Sequence, residues 1–138
     1  MNTLKLFFAI LLTSAVTFVS SSAAAATPTV EILAMPHPPV QMALKPLRDW
    51  LTDQGRKLKV VETDIESTQG IKRLAAVGLD GHIPILILID GKYQYQRKNG
   101  GPVAFVNFPA IPDAPPGVRG EWTVADVQGV LKNRMKKP

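Results

Sequence analysis

Cysteine is absent from all 138 residues. That absence removes every mechanism built on a thiolate: disulfide exchange, peroxide reduction, a cysteine nucleophile and a cysteine metal ligand. It also leaves the chain to fold by packing alone, without cross-links, and excludes lipid attachment to an N-terminal cysteine. Histidine occurs only at His37 and His82, and beyond Ala26 the sole serine is Ser67. No G-x-S-x-G, Walker loop or H-E-x-x-H sequence occurs, so the common hydrolase, nucleotide and zinc-protease chemistries have no anchor here. Aromatic residues are few, and none interleaves with the basic ending "LKNRMKKP". Nucleic acid is therefore not an expected partner, and Lys132, Arg134, Lys136 and Lys137 read as a solvated helix end that complements the helix dipole.

What is present begins with a leader. Lys5 precedes an apolar run from Leu6 to Val19, too short to span a bilayer, and the small residues Ser20 to Ala26 follow, with Ala24 and Ala26 in an A-x-A arrangement. This pattern predicts a signal peptide over residues 1–26 and one domain over 27–138. The product would be periplasmic or secreted, with no stable membrane insertion after cleavage. The formal charge of +5 falls by one when Lys5 is removed.

"TVEILAM", Thr29 to Met35, reads as a buried central strand. From Pro39 or Val40 to Gln54, the apolar residues Val40, Ala43, Leu44, Leu47, Trp50 and Leu51 recur at helical steps, and Gly55 is a natural stop. Pro46 falls inside that helix, and a kink rather than a break is expected there. Lys57 to Ile65 reads as a second strand, followed by a helix entered at Ser67 or Thr68 with Ile71, Leu74, Ala75 and Val77 on one side. Pro84 to Ile89 is a buried strand, Asp90-Gly91 a hairpin turn, and Lys92 to Arg97 its return strand, with Tyr93 and Tyr95 sharing one face, either packed under the closing helix or forming a small exposed patch. "VAFVNF" suits either a short strand or a packed turn, and Pro109 to Pro116 either a partner-binding extended segment or a surface connection. Thr123 with Asp126 caps a last helix, with Trp122 before it as a hydrophobic staple. The order β, α, β, α, β, β, α predicts an α/β fold with a central mixed sheet of about four strands flanked by helices.

The proline-rich turn after the first strand, Pro46 within the first helix, and "GHIPILILIDGK" together make the mature chain resemble an exported thioredoxin-like domain. The resemblance implies that "PPVQ" stands where such domains carry Cys-x-x-Cys, with Pro38 and Gln41 at the two thiol positions. It also implies a cis Ile83-Pro84 bond beside that loop. With no thiol the expectation is a non-redox, non-catalytic protein.

Two readings of the site follow. In the first, His37, Pro38, Pro39 and Gln41 form one wall of a groove and His82, Ile83 and Pro84 the other. An extended segment of an exported protein or peptide partner would pair with the backbone at Ile83. In the second, His37 and His82, with Met35 and Met42, hold or deliver copper, for which imidazole and thioether are suited ligands. Against the second, two isolated histidines match no ligand spacing, and methionines on a strand end and a helix stripe are ordinarily core. Asp64 and Glu66 form a possible carboxylate pair that also suits a solvated helix start.

Overall fold

The computed structural model describes residues 26–136; the expected leader, apart from Ala26, and Lys137 and Pro138 lie outside them. Three strands form the main sheet: β1 (Thr29–Ala34), β2 (Lys59–Asp64) and β3 (Ile85–Ile89), in the order β2-β1-β3. β1 runs parallel to β2 and antiparallel to β3. The parallel step requires a crossover, and helix α1 (Pro38–Gln54) with a 3-10 turn at Gly55–Lys57 supplies it. Helix α2 (Thr68–Ala76) joins β2 to β3. A smaller two-stranded sheet, β4 (Gln94–Gln96) with β5 (Pro102–Ala104), precedes helix α3 (Val124–Lys136). Among the described residues no helix is long and apolar enough to cross a membrane.

The α/β class is as expected, but the sheet has three strands rather than four. The reason lies in the chain that follows β5. Phe105 donates its N–H to the Tyr93 carbonyl at 2.8 Å while its own carbonyl accepts from Ile87 N–H at 3.0 Å, so the chain switches partner from the hairpin to β3 at one residue. Asn107 donates to the Ile85 carbonyl, yet its φ of 69° turns the backbone out of the extended region. "VAFVNF" is thus a strand end followed by two isolated bridges, Leu86 to Val106 and Phe108 to Arg119.

Burial explains the elements. Every residue of β3 is fully buried, and the inward stripe of α1 at Val40, Leu44, Leu47 and Leu51 is buried against the sheet. The α1 helix begins at Pro38, earlier than periodicity predicts: Pro38 and Pro39 occupy its first positions, where a missing N–H costs nothing and a fixed φ suits the helix. Pro46 faces outward and does not break the helix. Ser67 caps α2 by accepting from Gly70 N–H at 3.0 Å. Gly70 lies so close to the end of β2 that a Cβ there would stand 2.2 Å from the Asp64 carbonyl oxygen.

Asp90 and Gly91 have φ of 49° and 79°, which a type I′ turn requires, and Ile89 and Lys92 exchange both backbone hydrogen bonds across it. Thr123 and Asp126 cap α3 reciprocally, the Asp126 carboxylate accepting from Thr123 N–H at 2.9 Å and Asp126 N–H donating to the Thr123 hydroxyl. Trp122 and Val127 are both fully buried, the arrangement of a staple. Tyr95 stacks on Phe105 at 5.5 Å, Phe105 meets Trp122 edge-on at 6.2 Å, and Trp122 Nε1 donates to the Asn107 carbonyl. Pro109 to Pro116 is a connection fastened at both sides, by Phe108 N–H to Val118 and Ala110 N–H to Trp122.

Candidate functional site

The end of the sheet where β1 finishes carries a groove of about 340 Å³. Met35 and Ile65, which follow β1 and β2, form its floor together with Leu74 of α2. One side is the outer face of α2, and the other is the loop from Leu79 to Ile83. The α2 face is where sequence and structure part. Periodicity places Ile71, Leu74, Ala75 and Val77 on one buried side, but only Leu74 is buried; Ile71 is 58% exposed and lines the groove. The cause is the tight approach at Gly70, which fixes the rotation of a short helix against β2 and leaves Ile71 pointing past the sheet edge.

Glu66 and His82 both line the groove, and His37 Nε2 stands 3.3 Å from Glu66 Oε2. Glu66 therefore reaches across from the β2–α2 turn to the start of α1. Asp64 does different work from its expected carboxylate partner: its side chain accepts from Glu66 N–H at 2.9 Å and its carbonyl accepts from Ser67, so it shapes the turn.

Pro38 and Pro39 are exposed in the first turn of α1, not in a free loop. Gln41 is part of the frame rather than a free wall. Its side-chain amide donates to the Met35 carbonyl at 2.7 Å, and its oxygen accepts from Arg48, whose guanidinium also grips Glu62 of β2 through two bonds of 2.9 and 2.7 Å. Together these contacts tie the end of β1 to α1 and β2.

The Ile83-Pro84 bond is trans, as there is no cis peptide among the described residues. The expected cis bond is thus corrected, and the geometry shows why it is not needed: the Pro84 carbonyl accepts from Met35 N–H at 3.0 Å, extending the β1–β3 ladder, so the chain enters β3 already extended. Ile83 lines the groove half-buried, and neither its N–H nor its carbonyl has a hydrogen-bond partner among the described residues.

The copper ligand set is not brought together. Met35 is buried, whereas Met42 is 74% exposed on the side of α1 away from the buried stripe. Among the described residues no three His, Cys, Asp or Glu side chains gather where a metal could be held. Sequence periodicity missed Ile71, and nothing local pointed to Leu79 or Asp80, which enter the groove through the loop path. The chain matches no family model, no curated protein and no solved structure.

Proposed function

We propose that this chain is an exported, thioredoxin-like binding module without redox activity, which holds an extended apolar segment of a protein partner in the groove between α2 and the Leu79–Ile83 loop. The observation that carries the reading is the conjunction of an exposed Ile71, an apolar floor of Met35, Ile65 and Leu74, and an Ile83 backbone with an unpaired donor and acceptor beside them. An extended chain can satisfy those two backbone groups while one of its side chains fills the apolar floor. Ile71 then loses its contact with water, which is the driving term.

Support for the fold part of the reading is the order of elements and the pairing of a central strand parallel to one neighbour and antiparallel to the other. Support for a non-covalent mode is the absence of cysteine. The copper alternative has no geometric support, since His37 is directed to Glu66 and Met42 lies elsewhere.

A photo-crosslinking amino acid placed at Ile71 in the producing cell tests the reading. A discrete protein adduct is expected from position 71 and none from Asp53, on the opposite end of α1. Adducts that are absent at 71, or the same at both positions, would defeat it.

A further inference from the structure

A second groove, of about 310 Å³, lies between β4 and α3, and its character is the opposite of the first. Lys98, from the hairpin loop, and Lys132 and Lys136, one turn apart on α3, all line it. The sequence alone made the α3 lysines a solvated helix end, and the fold adds Lys98 from a distant part of the chain to the same opening. Arg97 is also there, but its guanidinium is committed: it donates to both Asp126 oxygens at 2.9 and 3.2 Å and to the Glu121 carbonyl at 2.8 Å.

Among the described residues Asp126 is the single acid lining the groove, and it is fully engaged by Arg97 and by the backbone and hydroxyl of Thr123. Glu121 lines a neighbouring groove instead. Lys132 Nζ stands 5.8 Å from the centre of the Trp50 ring, a contact that leaves its charge unneutralised. Three lysines thus line one cleft, and among the described residues that line it no carboxylate is free. The floor includes Val103, which is buried, and Gly129, whose missing Cβ leaves open space. A recess of this volume, near the small end of ligand-sized clefts, suits a compact solute.

The kind of cation narrows the ligand. The planar guanidinium fork, which would bind a carboxylate or a phosphate through two parallel bonds, is occupied by Asp126, whereas the remaining cations are ammonium ions on flexible stems that act as point charges. Such point charges suit a multiply charged, roughly tetrahedral anion. We propose that the groove between β4 and α3 binds a soluble phosphate-bearing small molecule, with its anionic group among Lys98, Lys132 and Lys136. This site is separate from the apolar groove and does not depend on the function proposed for it.

Titration of the purified chain with inorganic pyrophosphate at fixed ionic strength, followed by NMR of the backbone amides, tests the proposal. Saturable shifts are expected at Lys98, Gly129, Asn133 and Lys136. Affinity should fall at least about tenfold in the Lys132→Gln/Lys136→Gln double variant and stay unchanged in Lys45→Gln, on the far surface of α1. Unsaturable shifts spread equally to Lys45 and Lys72, or full affinity in the double variant, would overturn the site. Equal affinity for tricarballylate, a carboxylate of similar charge, would overturn the phosphate preference. Tighter binding to phosphatidylcholine vesicles containing phosphatidic acid than to pyrophosphate would overturn the choice of a soluble ligand.

Discussion

The two ends of β1 are built on opposite principles. At its start, Thr29 N–H donates to the Asp90 carboxylate at 2.9 Å and Asp90 N–H donates to the Thr29 carbonyl at 2.8 Å. Arg134 of α3 grips the other Asp90 oxygen at 2.8 Å, and the Tyr95 hydroxyl donates to the Ile89 carbonyl. One turn residue thereby locks a strand, a hairpin and the last helix together. At its finish, by contrast, the polar groups of Met35 are satisfied but the apolar surface is not: Ile71 and Ile83 border an unfilled groove. The closed end should owe stability to its side chains, whereas at the open end substitution of the exposed side chains, unlike that of the backbone frame beneath them, should change binding at little cost to the fold.

The largest effect should come from Gly70, which lies at the finish of β1, where Asp64 pairs with Ala34, and holds α2 to β2 in the backbone frame beneath the groove. Glycine to alanine in a helix normally stabilises by about 0.5–1 kcal/mol. Here the new Cβ would meet the Asp64 carbonyl at 2.2 Å and Ile65 Cα at 2.6 Å, backbone atoms that cannot step aside. Gly70→Ala is expected to cost about 3 kcal/mol and lower the melting temperature by about 10 °C or more. Gly129→Ala, where a Cβ meets nothing within 4 Å, supplies the contrast and should be neutral to stabilising. Thermal unfolding that ranks the two the other way would show that the α2–β2 approach is not a constraint.

Next comes the closed end itself. Asp90→Ala removes the side chain that accepts from Thr29 and Arg134 and puts a residue less tolerant of positive φ into the turn. A loss of about 2 kcal/mol is expected by chemical denaturation. Asp90→Asn, which tolerates that φ and can still accept from Thr29, should recover about half. No difference between the two variants would mean that the clamp contributes nothing beyond the turn.

The fold was legible where a pattern depended on local chemistry. Ser67, and Thr123 with Asp126, announce caps through side chains that bond nearby backbone, and Asp90-Gly91 announces a turn through residues that tolerate positive φ; each does so here. What could not be read was geometry set by distant approach. No periodicity reveals that Gly70 must touch the end of β2, and the resulting rotation is what exposes Ile71. Likewise the expected return strand, Lys92 to Arg97, keeps only β4 (Gln94–Gln96) and pairs with β5 in a second sheet, while Phe105 bonds Tyr93 through its N–H and Ile87 through its carbonyl, which leaves three strands in the main sheet where about four were expected. At the candidate site, His82 lines the groove while His37 meets it only through Glu66, and Gln41 looked free only because its bonds to Met35 and Arg48 span the fold.

Acid should loosen the start of α3. Burial pushes the Asp126 carboxyl up, but hydrogen bonds from Arg97 and from the Thr123 backbone and hydroxyl outweigh it and hold the group below its usual range. A carboxyl whose folded value is depressed adds stability above its unfolded value, and that contribution disappears as pH falls through the folded one. Asp126→Asn should therefore cost about 1 kcal/mol at neutral pH, where the cap and the Arg97 pair are lost. The gap between variant and parent should close below about pH 4. A constant gap from pH 7 to pH 3 would show that packing, rather than charge, makes the difference.

The smallest change in stability is expected at Ile71, and it is the most informative about the open end. Leu74, one turn along α2, is 6% exposed, so Leu74→Ala should cost about 2–3 kcal/mol through the cavity it leaves. Ile71→Ser removes more apolar surface in chemical terms, yet at 58% exposure most of that surface is already in water. Its cost should stay within about 0.5 kcal/mol. If the groove serves a partner, the same substitution should abolish the adduct formed by a crosslinker at Ile83, because the apolar contact is made only in the complex. A stability loss at Ile71 as large as that at Leu74 would mean that the groove is closed in solution, and the distinction between the two ends of β1 would fall with it.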